Sequence, residues 1–122
     1  ILKHSSSVIN MFSTMNLEAS IFDIPIVNVC FEGNSYTGPT KARHNIAMDE
    51  AQTHNQRVVK TGGVIMVRDE SQLIEGVNKS LQEPGSGREG RGRIKKEECG
   101  PSPGYAGGNI ANYILGLLEE KL

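Results

Sequence analysis

VINMFSTMNLEASIFDIPIVNVCFEG (residues 8–33) decides the fold, because it reads as strand, tight turn, helix and second strand. Val8 to Phe12 is a short apolar run of strand-forming residues, and Ile24 to Phe31 is another that opens Ile-Pro. The interval leaves room for one short helix. Two buried-type strands joined through a helix make a parallel crossover, so the stretch predicts the α/β class. Ser13 and Thr14 fall where the first strand must end, and Glu18 lies four positions past Thr14, on the same helical face.

That corner is the candidate ligand site. Hydroxyls of Ser13 and Thr14 can donate to phosphate oxygens, their small size admits a ligand to the backbone, and free N–H groups of a helix start favour an anion. Glu18 would repel a phosphate directly, yet one turn away it can accept from the paired hydroxyls of a ribose. A nucleoside diphosphate satisfies both requirements. The plainer alternative makes Ser13 or Thr14 an ordinary helix cap and Glu18 a first-turn acid held there by the helix dipole.

Composition narrows the remaining classes. The chain has 122 residues, 37% hydrophobic content and a formal charge of −1, enough for one modest domain with its own core. Thirteen basic against fourteen acidic side chains create no global field for nucleic acid or an anionic membrane. The two cysteines, Cys30 and Cys99, show no paired spacing, so a reducing, cytoplasmic setting is expected rather than a disulfide scaffold. No apolar run reaches the length of a transmembrane segment. The start, Ile1-Leu2-Lys3-His4, runs almost at once into a buried-type strand, and a preceding segment is expected.

Downstream, the polar stretch from Glu32 to Ala47 follows a strand's carboxyl end, the side on which open α/β sheets bind ligands. Met48 to Lys60 reads as a weak helix closed by Thr61-Gly62-Gly63, Gly63 to Val67 as a third strand, and Asp69 to Leu81 as an amphipathic helix. Pro84-Gly85-Ser86-Gly87 breaks that helix. A charged helix is expected over Arg88 to Glu98 and a final one over Asn109 to Lys121, with Ile110, Tyr113, Ile114, Leu117 and Leu118 in one apolar stripe. The expected architecture is a partial doubly wound, Rossmann-like parallel sheet of three strands with helices on both faces.

The pattern VIN-x-FST-x-x-LEA-x-x-FD-x-P-x-VNV-x-F over Val8 to Phe31 resembles the donor-nucleotide-binding C-terminal lobe of GT-B type glycosyltransferases, particularly sugar transferases of surface-polysaccharide synthesis. It is more loosely similar to UDP-N-acetylglucosamine 2-epimerases and CDP-glycerol polymerases, so a 2-epimerase fragment stands as an alternative, as does a non-catalytic nucleotide- or partner-binding module. His54 ahead of Val58 to Val64, Asp69 to Leu73, and Arg88 to Arg91 add weaker matches in the same order. The resemblance implies that residues 1–122 are the distal part of a nucleotide-sugar-binding lobe, residues 88–122 being its C-terminal helices. It also implies a missing N-terminal acceptor lobe or partner subunit. Ser13 and Thr14 would hold the diphosphate and Glu18 the ribose, with Phe31, Glu32, Gly33 and His54 as accessory contacts. No cofactor is implied. Where such enzymes carry Asp-His-aromatic, this chain has Thr53-His54-Asn55.

The other polar groups have bland readings. His4, His44 and His54 have no metal-ligand spacing, and no metal is expected. Arg88, Arg91, Arg93, Lys95 and Lys96 alternate with glutamates and lack aromatic neighbours, so they are expected to form a solvated helix face rather than a nucleic-acid surface. Gly87-x-x-Gly90-x-Gly92 follows no strand and is expected to act as a flexible breaker.

Overall fold

The three apolar runs do pair. In the computed structural model, which describes residues 1–32, 46–100 and 104–120, β1 (Val8–Asn10), β2 (Ile26–Val29) and β3 (Val64–Val67) form one parallel sheet in the order β1-β2-β3. Val8 stands opposite Ile26, and Ile26 opposite Val64. The strands are shorter than the apolar runs because each end is pulled into a turn. Phe12 takes a left-handed φ of 45° and bends the chain away after β1. The amide of Val8 donates to Pro25, so the Ile-Pro pair leads into β2 from the edge of the ladder.

Alternation along each strand sends side chains to two faces, and each face has its own cover. On one, Val8, Ile26 and Val64 join Ala19 of α1 (Met15–Ile21), Val58 of α3 (Thr53–Lys60) and Ile94 of α5 (Arg88–Glu98) in a continuous core. On the other, α4 (Glu70–Gln82) lies over β2 and β3. Gly76 brings α4 down close, since a β-carbon there would stand 2.9 Å from Val67 Cγ1. Val27 and Val67 are fully buried beneath it. Helices on both faces of a parallel sheet are the α/β, Rossmann-like arrangement expected. Because α4 does not extend across β1, Ile9 on that face stays 53% exposed.

Three expectations change. The weak helix is two helices, α2 (Ile46–Ala51) and α3, broken where Gln52 becomes extended. Side-chain amides stabilise the break: Asn55 donates to the Asp49 carbonyl and Gln56 to that of Glu50, satisfying groups left over at the end of α2.

The charged helix α5 is not solvated throughout: Arg88, Arg93 and Lys96 are exposed, but one cation is buried. Arg91 is 1% exposed, with Nε donating to Asp23 and its two terminal nitrogens to the carbonyls of Ser86 and Pro84. Arg88 holds the other oxygen of Asp23. Gly90 is not a flexible breaker either: a β-carbon there would stand 2.2 Å from Gly63 N and 2.5 Å from Gly62 C, so backbone lies against backbone. That contact seats Ile94 in the core. Gly87, at φ 74°, begins the helix. By contrast, α6 (Ala106–Glu119) carries the expected apolar stripe on a helix whose residues are all exposed.

Candidate functional site

Parallel strands place the loops that follow them along one edge, and the candidate residues gather there. After β1 comes the Phe12-Ser13-Thr14 turn, after β2 Phe31 and Glu32, and after β3 Arg68 to Ser71.

The turn after β1 is organised by side chains. The Ser13 hydroxyl accepts from Met15 N at 3.1 Å, the Ser13 amide donates to Asn10 Oδ1 at 3.3 Å, and Asn10 Nδ2 donates to Asn16 Oδ1 at 2.8 Å. Ser13 therefore supplies the capping oxygen, while Thr14 makes no side-chain cap bond. A hydroxyl that accepts one bond keeps its proton and a second lone pair, so Ser13 remains able to donate to an incoming oxygen. Ser13, Thr14 and Glu18 are all exposed at this corner. The helix that follows has only seven residues, so its dipole is slight and the anchoring capacity lies in the turn's own donors.

Beyond β2 and β3 an open cleft of about 480 Å³ is lined by Phe31, Glu32, Arg68, Asp69, Glu70 and Ser71. Phe31 and Glu32 both line this cleft. The cleft is acidic in effect, because Arg68 is engaged in a two-pronged pair with Glu50 at 2.6 and 3.0 Å. That hydrogen-bonded pair, and then its charge attraction, lowers the Glu50 carboxyl despite some burial and raises the Arg68 guanidinium. Asp69 is committed to capping α4, accepting from Gln72 N at 2.8 Å and Gln72 Nε2 at 2.9 Å. A diphosphate would meet Glu32 and Glu70 without a free cation among the described lining residues, whereas hydroxyl groups would find acceptors. The cleft therefore offers hydrogen-bond acceptors, and the β1–α1 turn offers donors.

His54 is exposed in the first turn of α3, and Gly33 lies outside the described residues, as does the polar stretch after it up to residue 45. Among the described residues no group of three or more acidic, cysteine or histidine side chains could hold a metal ion. Cys30 and Cys99 are free thiols; burial is the main cause raising both, with Glu50 adding to it at Cys30 and Glu98 at Cys99. No described helix is long and apolar enough to cross a membrane.

Residue-by-residue reading missed the asparagines. Asn10, Asn16 and Asn28 form a polar layer beneath the carboxyl edge, where Asn16 is 2% and Asn28 0% exposed. The signal was present in Val27-Asn28-Val29, a carboxamide inside an otherwise apolar strand. A buried polar group within a strand calls for a partner. Asn28 has none among the described residues: neither its nitrogen nor its oxygen is hydrogen-bonded.

Comparison with known proteins adds no name to this geometry: no family model, no curated protein and no solved structure matches the chain.

Proposed function

We propose that this chain binds a nucleoside diphosphate, the leaving half of a nucleotide sugar, and serves as the donor-binding part of a glycosyltransferase acting on a polysaccharide or related acceptor. The observation that carries the reading is the β1–α1 turn. It lies at the carboxyl end of a parallel strand, presents two exposed hydroxyls, and stands on the same sheet edge as a cleft rich in hydroxyl acceptors. The sequence resemblance to GT-B donor lobes supports it independently of the geometry.

In this reading the diphosphate sits at Ser13 and Thr14, Glu18 accepts from the ribose, and Phe31 and Glu32 face the remainder of the donor. The chain's contribution to transfer is electrostatic. Hydroxyl and amide donors already held in place stabilise the negative charge that grows on the departing diphosphate, at little reorganisation cost. The acceptor and a general base would come from another lobe or a partner subunit. Free nucleotide diphosphate should therefore bind to this chain even where transfer does not occur.

Calorimetric titration with UDP, CDP and GDP tests the reading. The double variant Ser13→Ala, Thr14→Ala should keep the fold and lose about 1.5–3 kcal/mol of binding free energy, the range for hydrogen bonds to a charged group. Unchanged affinity would remove the diphosphate from this turn.

A second reading, a sugar-nucleotide epimerase, is favoured by the exposed carboxylates of Glu32 and Glu70 on one cleft, since proton removal and return at a sugar carbon needs such groups. Product analysis on a nucleotide sugar separates an epimerised sugar from a transferred one.

A further inference from the structure

Asn28 is fully buried on the central strand, and both polar atoms of its side chain lack a partner. Such a group is a standing cost to the folded state. Its neighbour across the ladder is Asn10, in direct parallel register, so the two carboxamides leave the sheet on the same face from strands about 4.8 Å apart. Asn10 is the residue that props the β1–α1 turn. Its Nδ2 is committed to Asn16 at 2.8 Å, while its Oδ1 holds the Ser13 amide at 3.3 Å, a bond longer than the usual range.

We infer that Asn28 is a positioning residue for the β1–α1 turn, a reserve donor that takes over Asn10 Oδ1 when a phosphoryl oxygen draws the Ser13 amide away. The inference rests on the proposal that this turn receives the diphosphate. Before binding, Ser13 N–H is on Asn10 Oδ1 and the Asn28 amide is idle. After binding, Ser13 N–H is on the phosphoryl oxygen and Asn28 Nδ2–H is on Asn10 Oδ1. One bond is surrendered and two are made. The two side chains are register neighbours on one face of the sheet, and no ligand atom has to reach the buried Asn28. Without Asn28, the same capture would leave Asn10 Oδ1 with no replacement donor, and the phosphate would bind against that loss. The cost borne by the ligand-free fold is thereby returned on binding.

The test uses the full chain with UDP, CDP and GDP as probes, and uridine, cytidine and guanosine as controls without phosphate. Asn28→Leu preserves volume, and Asn28→Val is a smaller replacement suited to a strand. Both should raise the urea midpoint and weaken nucleoside diphosphate binding about five- to tenfold, leaving nucleoside binding unchanged. In the unmodified protein the Asn28 side-chain amide proton should move downfield on saturation with nucleotide in a nitrogen–proton correlation spectrum. Equal diphosphate affinity in the variants and the parent would overturn the role of Asn28 while leaving the diphosphate site standing. Absence of diphosphate binding to the parent chain would overturn both. If neither variant folds, the spectrum decides, and an Asn28 amide unmoved at saturation overturns the inference.

Discussion

Gly90→Ala and Gly92→Ala, two positions apart on α5, should move stability in opposite directions. In an exposed helix interior the exchange is favourable by about 1 kcal/mol, because glycine loses more backbone freedom on folding. At Gly92 nothing lies within 4 Å of the added β-carbon, so the full gain should appear. At Gly90 the new methyl would stand 2.2 Å from Gly63 N and 2.6 Å from Gly63 Cα, where ordinary contact begins near 3.4 Å. Both partners are backbone, so no side chain can turn aside and α5 must retreat by about 1 Å. The retreat strains a packed region, at about 1–3 kcal/mol, and begins to uncover Ile94, whose full burial is worth about 1.5–3 kcal/mol. It also loosens the three bonds of Arg91. Setting the helix gain against these terms leaves a net loss of about 2–4 kcal/mol, a large share of a small domain's stability. Urea denaturation reads this directly: with a slope of about 1–3 kcal/mol per molar, the Gly90→Ala midpoint should fall by roughly 1–2 M and that of Gly92→Ala should rise. A Gly90→Ala midpoint at or above the parent's would refute the seating of α5 on the Gly62–Gly63 backbone.

Two further outcomes follow from the ion pairs and the candidate site. Burial alone would raise the Asp23 carboxyl, but hydrogen bonds from Arg91 and Arg88, with their charges, hold it below its ordinary 3.8. Its stabilisation is therefore complete above the unfolded pKa and is lost as pH falls through the lower folded value. Asp23→Asn should cost about 1–3 kcal/mol at pH 7 and flatten the acid limb of a stability–pH curve below about pH 4, and an unchanged limb would count against it. Glu18→Gln should weaken a ribonucleoside diphosphate by about 1.5–3 kcal/mol, and its deoxy analogue by less, as measured by calorimetry. Equal losses would remove Glu18 from the ribose.

The sheet was legible because its strands are continuous apolar runs, and α4 because Leu73, Ile74, Val77 and Leu81 recur at the helical period. Strand ends were not, since the left-handed turn at Phe12 and the Pro25 junction cut the runs short through backbone geometry rather than hydrophobicity. The break at Gln52 depends on Asn55 and Gln56 reaching back to the preceding carbonyls, which no periodicity encodes. Arg91 misled for a deeper reason. Charge forecasts exposure only while no distant acceptor is known, and Asp23 lies 68 positions away in the sequence. At the candidate site, Ser13, Thr14 and Glu18 were visible as a local spacing. The layer formed by Asn10, Asn16 and Asn28 required knowing that β1 and β2 stand side by side.

All three strands run the same way, and this constrains how the chain can assemble. No neighbouring pair can close as a hairpin: Val8 must find Ile26 across α1, and Ile26 must find Val64 across α2 and α3. Each pairing requires a wide loop to shut before any ladder bond rewards it, which slows folding relative to a helical bundle of equal size. Yet the entropy of shutting such a loop grows only logarithmically, by about 0.6 kcal/mol for each doubling in length. The connection between β2 and α2 can thus be lengthened with little thermodynamic consequence, so evolution could vary its length while leaving the sheet undisturbed.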